Sequence, residues 1–374
     1  MVGSWSLEWL LAELIILVVT FPTIARLVRS IRPTAGLKKV VDRDLREPRI
    51  SVVIPARNEA DRIGPLLDSL ASALGIIEVI VVDDESTDGT ARVAQAHGAV
   101  IVSPPSRPEG WVGKTWALQQ GIVAARGEWI VSLDADTRPS PALPESVVQW
   151  AEEREATLTT VAGSFECPTT GAQLIHPALL TTLIYRYGRP GAVGDGRVLA
   201  NGQCMAFRKD DAIEMRFMEH VRGELIEDVA LARLLVQEDR NVVLVDGAEL
   251  LRVRMFEDFP STVRGWGRSI SLAGIESHSR LLGQLVAVAC SQVLPIVFII
   301  SGIAPVMGSL LLAIRIGTLV GSSSSYPQRK WSFWLSPVAD VLAWTIVVRG
   351  VIRHFVGAPV VWRGRTYGPS RSSL

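Results

Sequence analysis

The chain is 374 residues long, with 38 basic against 38 acidic side chains, so it has room for one large or two modest domains and no net charge to draw it to nucleic acid. Its apolar fraction of 48% and mean hydropathy of +0.29 exceed the needs of a wholly soluble enzyme, and the excess lies near the two ends. Cys167, Cys204 and Cys290 are scattered without CxxC spacing, which argues against a disulfide framework or zinc site and for reduced, partly buried thiols.

Trp9 to Val28 is apolar apart from Glu13 and Arg26, long enough for one bilayer crossing within an anchor spanning 1–30. It lacks a basic n-region and a small-residue cleavage site, so it reads as a retained anchor and not a signal peptide. Arg26, Arg29, Arg32, Lys38, Lys39, Arg43, Arg46 and Arg49 crowd its end and the basic linker over 31–48. This bias predicts a cytoplasmic location for the chain beyond the anchor.

From 49 to 257, apolar runs rich in Val and Ile alternate with helical patterns. ISVVI (Ile50 to Ile54) predicts a strand and Glu59 to Ala73 a helix. IEVIVVDD (Ile77 to Asp84) predicts a second strand, with a helix opening at Ser86 to Thr90. The strand AVIV, the helix Lys114 to Arg126 and the strand WIVSL come next. Continuous strand runs between helices predict a mostly parallel sheet covered on both faces, an α/β Rossmann-like layer that places ligands beyond the carboxyl ends of its strands. ARNE (Ala56 to Glu59), DDESTDGT (Asp83 to Thr90) and DAD (Asp134 to Asp136) each succeed a strand closely, so the three clusters are expected to line one crevice.

Asp134 and Asp136 are anions one residue apart, which repel unless a cation intervenes. Mg²⁺ or Mn²⁺ completing its shell with substrate phosphates would supply one; a turn cap before Pro139 is the plainer alternative. A helix cap after the second strand needs one short acceptor, and Ser86 or Asp88 can be it. That leaves Asp83 and Asp84 to accept from a base N–H or ribose hydroxyls. In GWVGKTWALQQG, Lys114 follows Gly113 at a helix start, where a cation and free amides suit an anion or where a lysine is simply solvated. Neither GxGxxG nor GxxxxGK[ST] occurs at a strand end, which speaks against a dinucleotide enzyme or P-loop NTPase. RGELIEDVALARLL, Arg222 to Leu235, predicts an amphipathic helix with Glu227 and Asp228 in its first turn. Acids are favoured there by the helix dipole alone; the sharper reading makes Asp228 a general base.

In DFPSTVRGWGRSISLAG, Phe259, Val263, Trp266 and Ile270 form one helical stripe with Arg264 and Arg268 off it. Such a segment, over 258–280, suits the bilayer interface or packing against the soluble domain. Leu281 to Ile314 has no charged side chain and as one helix would measure about 50 Å against a hydrocarbon core of about 30 Å. A break at Gly302 and Pro305 is expected, giving a convincing span (Gln284 to Ile303) and a weaker one (Pro305 to Val320) containing Arg315. The run Trp331 to Val348 carries Asp340. Two or three segments over 281–352 precede a basic tail, 353–374, with Arg353, Arg363, Arg365 and Arg371; three full crossings would put that tail outside, so one segment is interfacial or re-entrant. The five histidines form no HExxH grouping, and no chemistry is assigned to them.

VVIPARNE, VVDDESTDGT, GWVGKTWA, LDAD, NGQCMAFRKD and ELIEDVALA, in this order between apolar ends, resemble the family 2 inverting glycosyltransferases of the GT-A fold. The likeness is to the membrane-bound branch that includes hopanoid-associated and carotenoid (diaponeurosporenoate-type) glycosyltransferases and, more distantly, ceramide glucosyltransferase. It covers about residues 48 to 280 and extends to the terminal anchors and the WRGRTY tail. The resemblance implies a GT-A nucleotide-diphospho-sugar transferase domain flanked by transmembrane helices, with Pro55, Arg57, Glu59 and Asp83 on the nucleoside and Asp84 beside them. Lys114 would meet the diphosphate, Asp134 and Asp136 would hold ribose and Mg²⁺ or Mn²⁺, and Asp228 would be the base. Gly202, Gln203 and Glu227 would border the acceptor. One element departs: where the family often has QxxRW, this chain has VRGWGRS, which loosens any role of Arg264, Trp266 or Arg268 in closing over the diphosphate.

The expected function is therefore a multi-pass, cytosol-facing enzyme of the cell membrane that moves a sugar from a UDP-linked donor to a lipid such as a carotenoid or hopanoid. Nucleotide sugar, lipid acceptor and bilayer are the expected partners, and nucleic acid is not. A polyprenyl-phosphate glycosyltransferase and a non-catalytic sugar-nucleotide-binding membrane module are the alternatives.

Overall fold

Val and Ile runs at Ile50, Val79 and Ile130 do build one sheet, and the reason is their burial: Ile50, Val52, Val53, Ile54, Ile130 and Val131 are wholly enclosed, each contributing about 1.5–3 kcal/mol of transfer free energy. The structure, a computed structural model, describes residues 7–30, 36–40, 47–189, 198–272 and 275–368. These fall into two units. One, helical, holds residues 7–30, 166–189 and 256–358 of that set; the other holds all the strands, from 36–165, 198–255 and 359–368. The linear boundaries expected from sequence thus give way to an interleaved division, with the helix Thr170–Tyr187 in the helical unit and the tail in the sheet unit. Arg32, Arg43, Arg46 and Arg371 lie outside the described residues.

In the sheet unit the strands are β1 (Ile50–Ala56), β2 (Ile76–Asp83), β3 (Val100–Val102), β4 (Trp129–Leu133), β5 (Thr137–Pro139), β6 (Leu158–Ala162), β7 (Ser164–Phe165), β8 (Cys204–Arg208), β9 (Val242–Asp246), β10 (Leu251–Val253), β11 (Val360–Trp362) and β12 (Arg365–Tyr367). Seven make the main sheet in the order β3-β2-β1-β4-β8-β6-β9. β1 runs parallel to β2 and β4, and β2 to β3, so the carboxyl ends at Ala56, Asp83 and Leu133 share one edge. Pro55 costs no ladder bond to β4, because that pairing stops at Val53. The helix Gly113–Ala124 lies against β1 so closely that a Cβ on Gly121 would overlap the Val53 side chain.

One strand departs from the parallel expectation. β8 runs antiparallel between β4 and β6, pairing Leu133 with Cys204 and Thr160 with Met205. Its reversal brings its start, and the Asn201–Gly202–Gln203 loop before it, to the edge where β1, β2 and β4 end. A small sheet, β5-β10-β7, backs the loop after β4.

In the helical unit, Leu7–Ser30 and Pro305–Ser325 are long and apolar enough to cross a membrane. Leu7, Ile15, Val18 and Phe21 stand exposed along the first, as a lipid-facing surface would. The segment expected to be the convincing span is bent: His278–Val293 and Pro295–Ser301 meet at 62°, with Pro295 lacking the amide that would continue the helix. Gly302, in a left-handed conformation at φ 69°, ends it where the break was expected. The expected weaker span is the straight one.

Polar residues inside these runs have partners. Both carboxylate oxygens of Glu13 accept from the free amides of Val306 and Met307, at 2.9 and 2.8 Å, capping the helix Pro305–Ser322. Arg315 Nε and Nη2 donate to the two oxygens of Asp340 at 2.7 and 2.8 Å, and Gln292 donates to Asp340 Oδ1 at 2.7 Å. Arg315→Leu strands a buried carboxylate; a loss of about 3–5 kcal/mol is expected, read as a lower melting temperature of the detergent-solubilised protein, with Arg315→Met/Asp340→Leu recovering most of it.

The stripe Phe259, Val263, Trp266 and Ile270 lies on the helix Phe259–Ser269 and its cap. It packs with Ile175, Leu179, Ile346 and Val347 inside the helical unit. The stripe thus packs in the core of the helical unit, where the sequence left bilayer interface and packing against the soluble domain as alternatives; Arg264 and Arg268 are exposed.

Candidate active site

The loops after β1 and β2 are laced together. Asn58, left-handed at φ 53°, receives Thr87 N on its Oδ1 at 2.8 Å, while its own amide donates to Ser86 Oγ at 3.0 Å. Asp88 Oδ1 accepts from Thr90 N at 3.0 Å and its Oδ2 from Ala60 N at 3.0 Å, so it serves the starts of two helices at once. Ser86, expected as a helix cap, is instead a cross-link to Asn58. Asp83 Oδ1 closes its own turn by accepting from Ser86 N at 3.2 Å. Asp84 is buried, with 4% exposure, and its carboxylate meets Arg365. Arg57 Nη1 donates to the Asp84 carbonyl at 2.5 Å. Glu59 meets Arg363; burial pushes its carboxyl up to about 7 although Arg363 and Arg62 pull it down.

A second cluster centres on Lys114. Its ammonium stands 2.8 Å from Asp134 Oδ1 and 2.9 Å from Glu227 Oε1. Burial opposes its charge, but Asp134, Glu227 and Asp228 outweigh that and hold it well above the ordinary lysine range. Lys114 comes from the helix after β3, Asp134 from the end of β4 and Glu227 from the start of the helix Glu227–Gln237. Beside them Asp228 Oδ2 accepts from Gly202 N at 2.6 Å and Oδ1 from Val229 N at 2.9 Å. A Cβ on Gly202 would stand 3.1 Å from Asp228 Oδ2, 3.2 Å from Glu227 Oε1 and 3.2 Å from Lys114 Nζ. A residue without a side chain therefore lets these three groups approach the loop this closely. Gln203 is tied in through its carbonyl, which accepts from Asp134 N at 3.2 Å. Burial raises Glu227 to about 7 against the pull of Lys114, and raises Asp228 above the usual aspartate range despite Lys114 and the two amides.

The two clusters adjoin through neighbouring residues, since Gly113 N lies 3.3 Å from Tyr367 Oη and a Cβ on Gly113 would stand 2.6 Å from Arg365 Nη1. The sheet edge thus gathers Arg57, Glu59, Asp83, Asp84, Lys114, Asp134, Gly202, Gln203, Glu227 and Asp228. Trp266 is 8% exposed in the core of the helical unit, edge-on to His176 at 5.3 Å. Arg363, Arg365, Tyr367 and Glu85 were missed as site residues by sequence reasoning, although WRGRTY stands out as the polar motif after the last apolar run.

Among the described residues no three His, Cys, Asp or Glu side chains converge as a ready metal site. The DAD loop still fits a divalent ion. Asp136 Oδ1 is buried without a hydrogen-bond partner, and burial, with Asp134 nearby, lifts its carboxyl to about 6. The loop is pinned by Arg254 N donating to the Asp136 carbonyl at 2.9 Å. Two carboxylates with substrate phosphates and water suffice for Mg²⁺ or Mn²⁺.

Residues 51–216 match the family described as Glycosyl transferase family 2. The chain carries a family 2 glycosyltransferase domain. A relative, 4,4'-diaponeurosporenoate glycosyltransferase from Staphylococcus aureus strain USA300, is 27% identical over 243 residues, which span 63% of this chain and 64% of that protein. The mannosyltransferase PcManGT from Pyrobaculum calidifontis, solved with GDP-Man and Mn²⁺, superimposes with a TM-score of 0.52 at 13% identity, over 93% of this chain and 98% of that one. That likeness shows the GT-A fold. The matched part of the glycosyltransferase domain runs from β1 to the helix Lys209–Glu214, so Glu227, Asp228 and the hairpin β11–β12 come from beyond it.

Proposed function

We propose that this glycosyltransferase domain transfers a sugar from a nucleotide-diphosphate donor, UDP-linked, to a hydroxyl or carboxyl of a membrane lipid of carotenoid or hopanoid type, with inversion at the anomeric carbon. The observation that carries the reading is the meeting of carboxylates from separate element ends around Lys114, with Asp228 held by the Gly202 amide beside them. The name of the Staphylococcus aureus relative supports a lipid-soluble acceptor.

In this reading Pro55, Arg57, Glu59, Asp83 and Asp84 receive the nucleoside. Lys114, at a helix start, meets the diphosphate and exchanges carboxylates for phosphate oxygens. Asp134 and Asp136 hold Mg²⁺ or Mn²⁺, which when bound neutralises charge on the leaving diphosphate. Asp228, fixed by two backbone amides, takes the proton from the acceptor, and Gly202, Gln203 and Glu227 border that acceptor. Asp136→Ala is expected to abolish metal-stimulated donor hydrolysis, measured with and without Mn²⁺, while leaving the fold intact.

The helices Leu7–Ser30 and Pro305–Ser325 are proposed to anchor the enzyme in the cell membrane, the domain in the cytoplasm. The chain leaves the sheet unit at Met255 and rejoins it at Pro359. On this reading an even number of crossings lies between those points, with one of the apolar segments not a full crossing. The test is incubation of membranes containing the protein with a panel of nucleotide sugars, then mass spectrometry of extracted lipids. No glycosylated lipid with any donor would end the proposal; a glycosylated polyprenyl phosphate would replace the acceptor.

A further inference from the structure

After its last apolar helix the chain returns to the sheet unit as the hairpin β11–β12, and the contacts of that hairpin are concentrated on the nucleotide side of the site. Arg365 bridges two carboxylates, Asp84 through Nη1 and Glu85 through Nη2, the latter at 2.5 Å. Arg363 bonds Glu59 and lies 3.4 Å from the Asn58 carbonyl, while its own carbonyl accepts from Arg57 Nε at 3.1 Å. Tyr367 Oη reaches Gly113 N at 3.3 Å, and the Arg107 guanidinium lies 5.9 Å from its ring.

The turn itself points to a use for Arg363. Trp362 pairs with Arg365, so Arg363 and Gly364 are the two turn residues, both left-handed at φ 48° and 77°. Asn or Gly sits in the first of these positions without strain, and Arg does not. A strained arginine kept at a turn tip and aimed into a ligand site is placed for its side chain.

Charge gives the second argument. Around this side of the site stand Glu59, Asp83, Asp84 and Glu85, against Arg57 from the loops and Arg62, 3.7 Å from Glu59, from the helix after β1. A diphosphate entering among carboxylates needs more positive charge than that. Arginine's planar fork fits carboxylate and phosphate alike, so it can change one for the other. Arg363, with 29% of its side chain exposed, is the easier to exchange; Arg365, at 15% and on two carboxylates, is the fixed one.

Resting on the donor-site reading, we propose that the C-terminal hairpin is a clasp of the donor site. Arg365 positions Asp84 and Glu85 for the nucleoside, and Arg363 leaves Glu59 to meet the diphosphate, so that nucleotide recognition is assembled from both ends of the chain.

The test uses the full-length protein in detergent, titrated calorimetrically with UDP, GDP, ADP and dTDP in the presence of Mn²⁺, alongside thermal melting. Wild type is expected to bind one of the four. Arg363→Gly relieves the turn strain, so a merely structural residue would leave binding unchanged; the expected result is binding about tenfold weaker or more, with an equal or higher melting temperature. Arg365→Lys keeps the charge but cannot span two carboxylates, and a loss of about tenfold is expected there too. Both variants binding within about twofold of wild type would overturn the clasp while leaving the donor-site reading standing. Wild type binding none of the four nucleotides would overturn that reading and the clasp with it.

Discussion

Asp228→Asn is expected to lower kcat by about 10²–10⁴-fold, the contribution of a positioned general base, while nucleotide binding changes by no more than a few-fold. The geometry makes the control strict. Both carboxylate oxygens accept a backbone amide, from Gly202 and Val229. An asparagine turns one of those acceptors into a donor facing an N–H, so a cost of about 1–3 kcal/mol is expected in melting as well. Activity loss must therefore exceed what the melt explains. The pH profile gives an independent check. Asp228 lies above the ordinary aspartate range through burial, and Glu227 beside it at about 7 for the same reason, so the pair loses protons in shared steps. A base works deprotonated; the wild-type rate is expected to rise with pH through a step above the usual carboxylate range, and that step should vanish in the variant. Full activity in Asp228→Asn would remove Asp228 from the role of base.

Lys114→Met is expected to be the most damaging single change to the domain. Lys114 is the shared counter-charge of Asp134 and Glu227, at 2.8 and 2.9 Å. Its removal leaves two carboxylates facing each other in a largely enclosed place, at a cost of about 3–5 kcal/mol. Melting should fall accordingly, and donor binding should be lost because the diphosphate has lost its cation. Lys114→Met/Glu227→Gln should recover much of the melting temperature and none of the donor binding. If the double variant binds donor normally, Lys114 is a structural pin only.

The loop acids show where sequence reading succeeds. Asp84, Asp134 and Asp228 each end or open an element whose apolar pattern is local, so their placement at element ends could be read from a few neighbouring residues. The same local logic found the helix Phe259–Ser269 and left its face open between bilayer interface and protein packing, because a stripe of Phe, Val, Trp and Ile suits both equally; the structure packs it in the helical unit. It also took Gln284 to Ile303 as the convincing span, since hydropathy does not register the 62° bend at Pro295.

Short windows of sequence were enough for the buried strand runs, the polar loops that end them and the apolar stretches near each end, because periodicity and composition are local properties. Which of these pieces meet was settled in three dimensions. The reversal of β8 carries Gly202 to Asp228, and the hairpin returns Arg365 to Asp84, 281 residues away in the chain. Such contacts are set by strand order and register, and no local pattern of side chains encodes the partner across so long a loop.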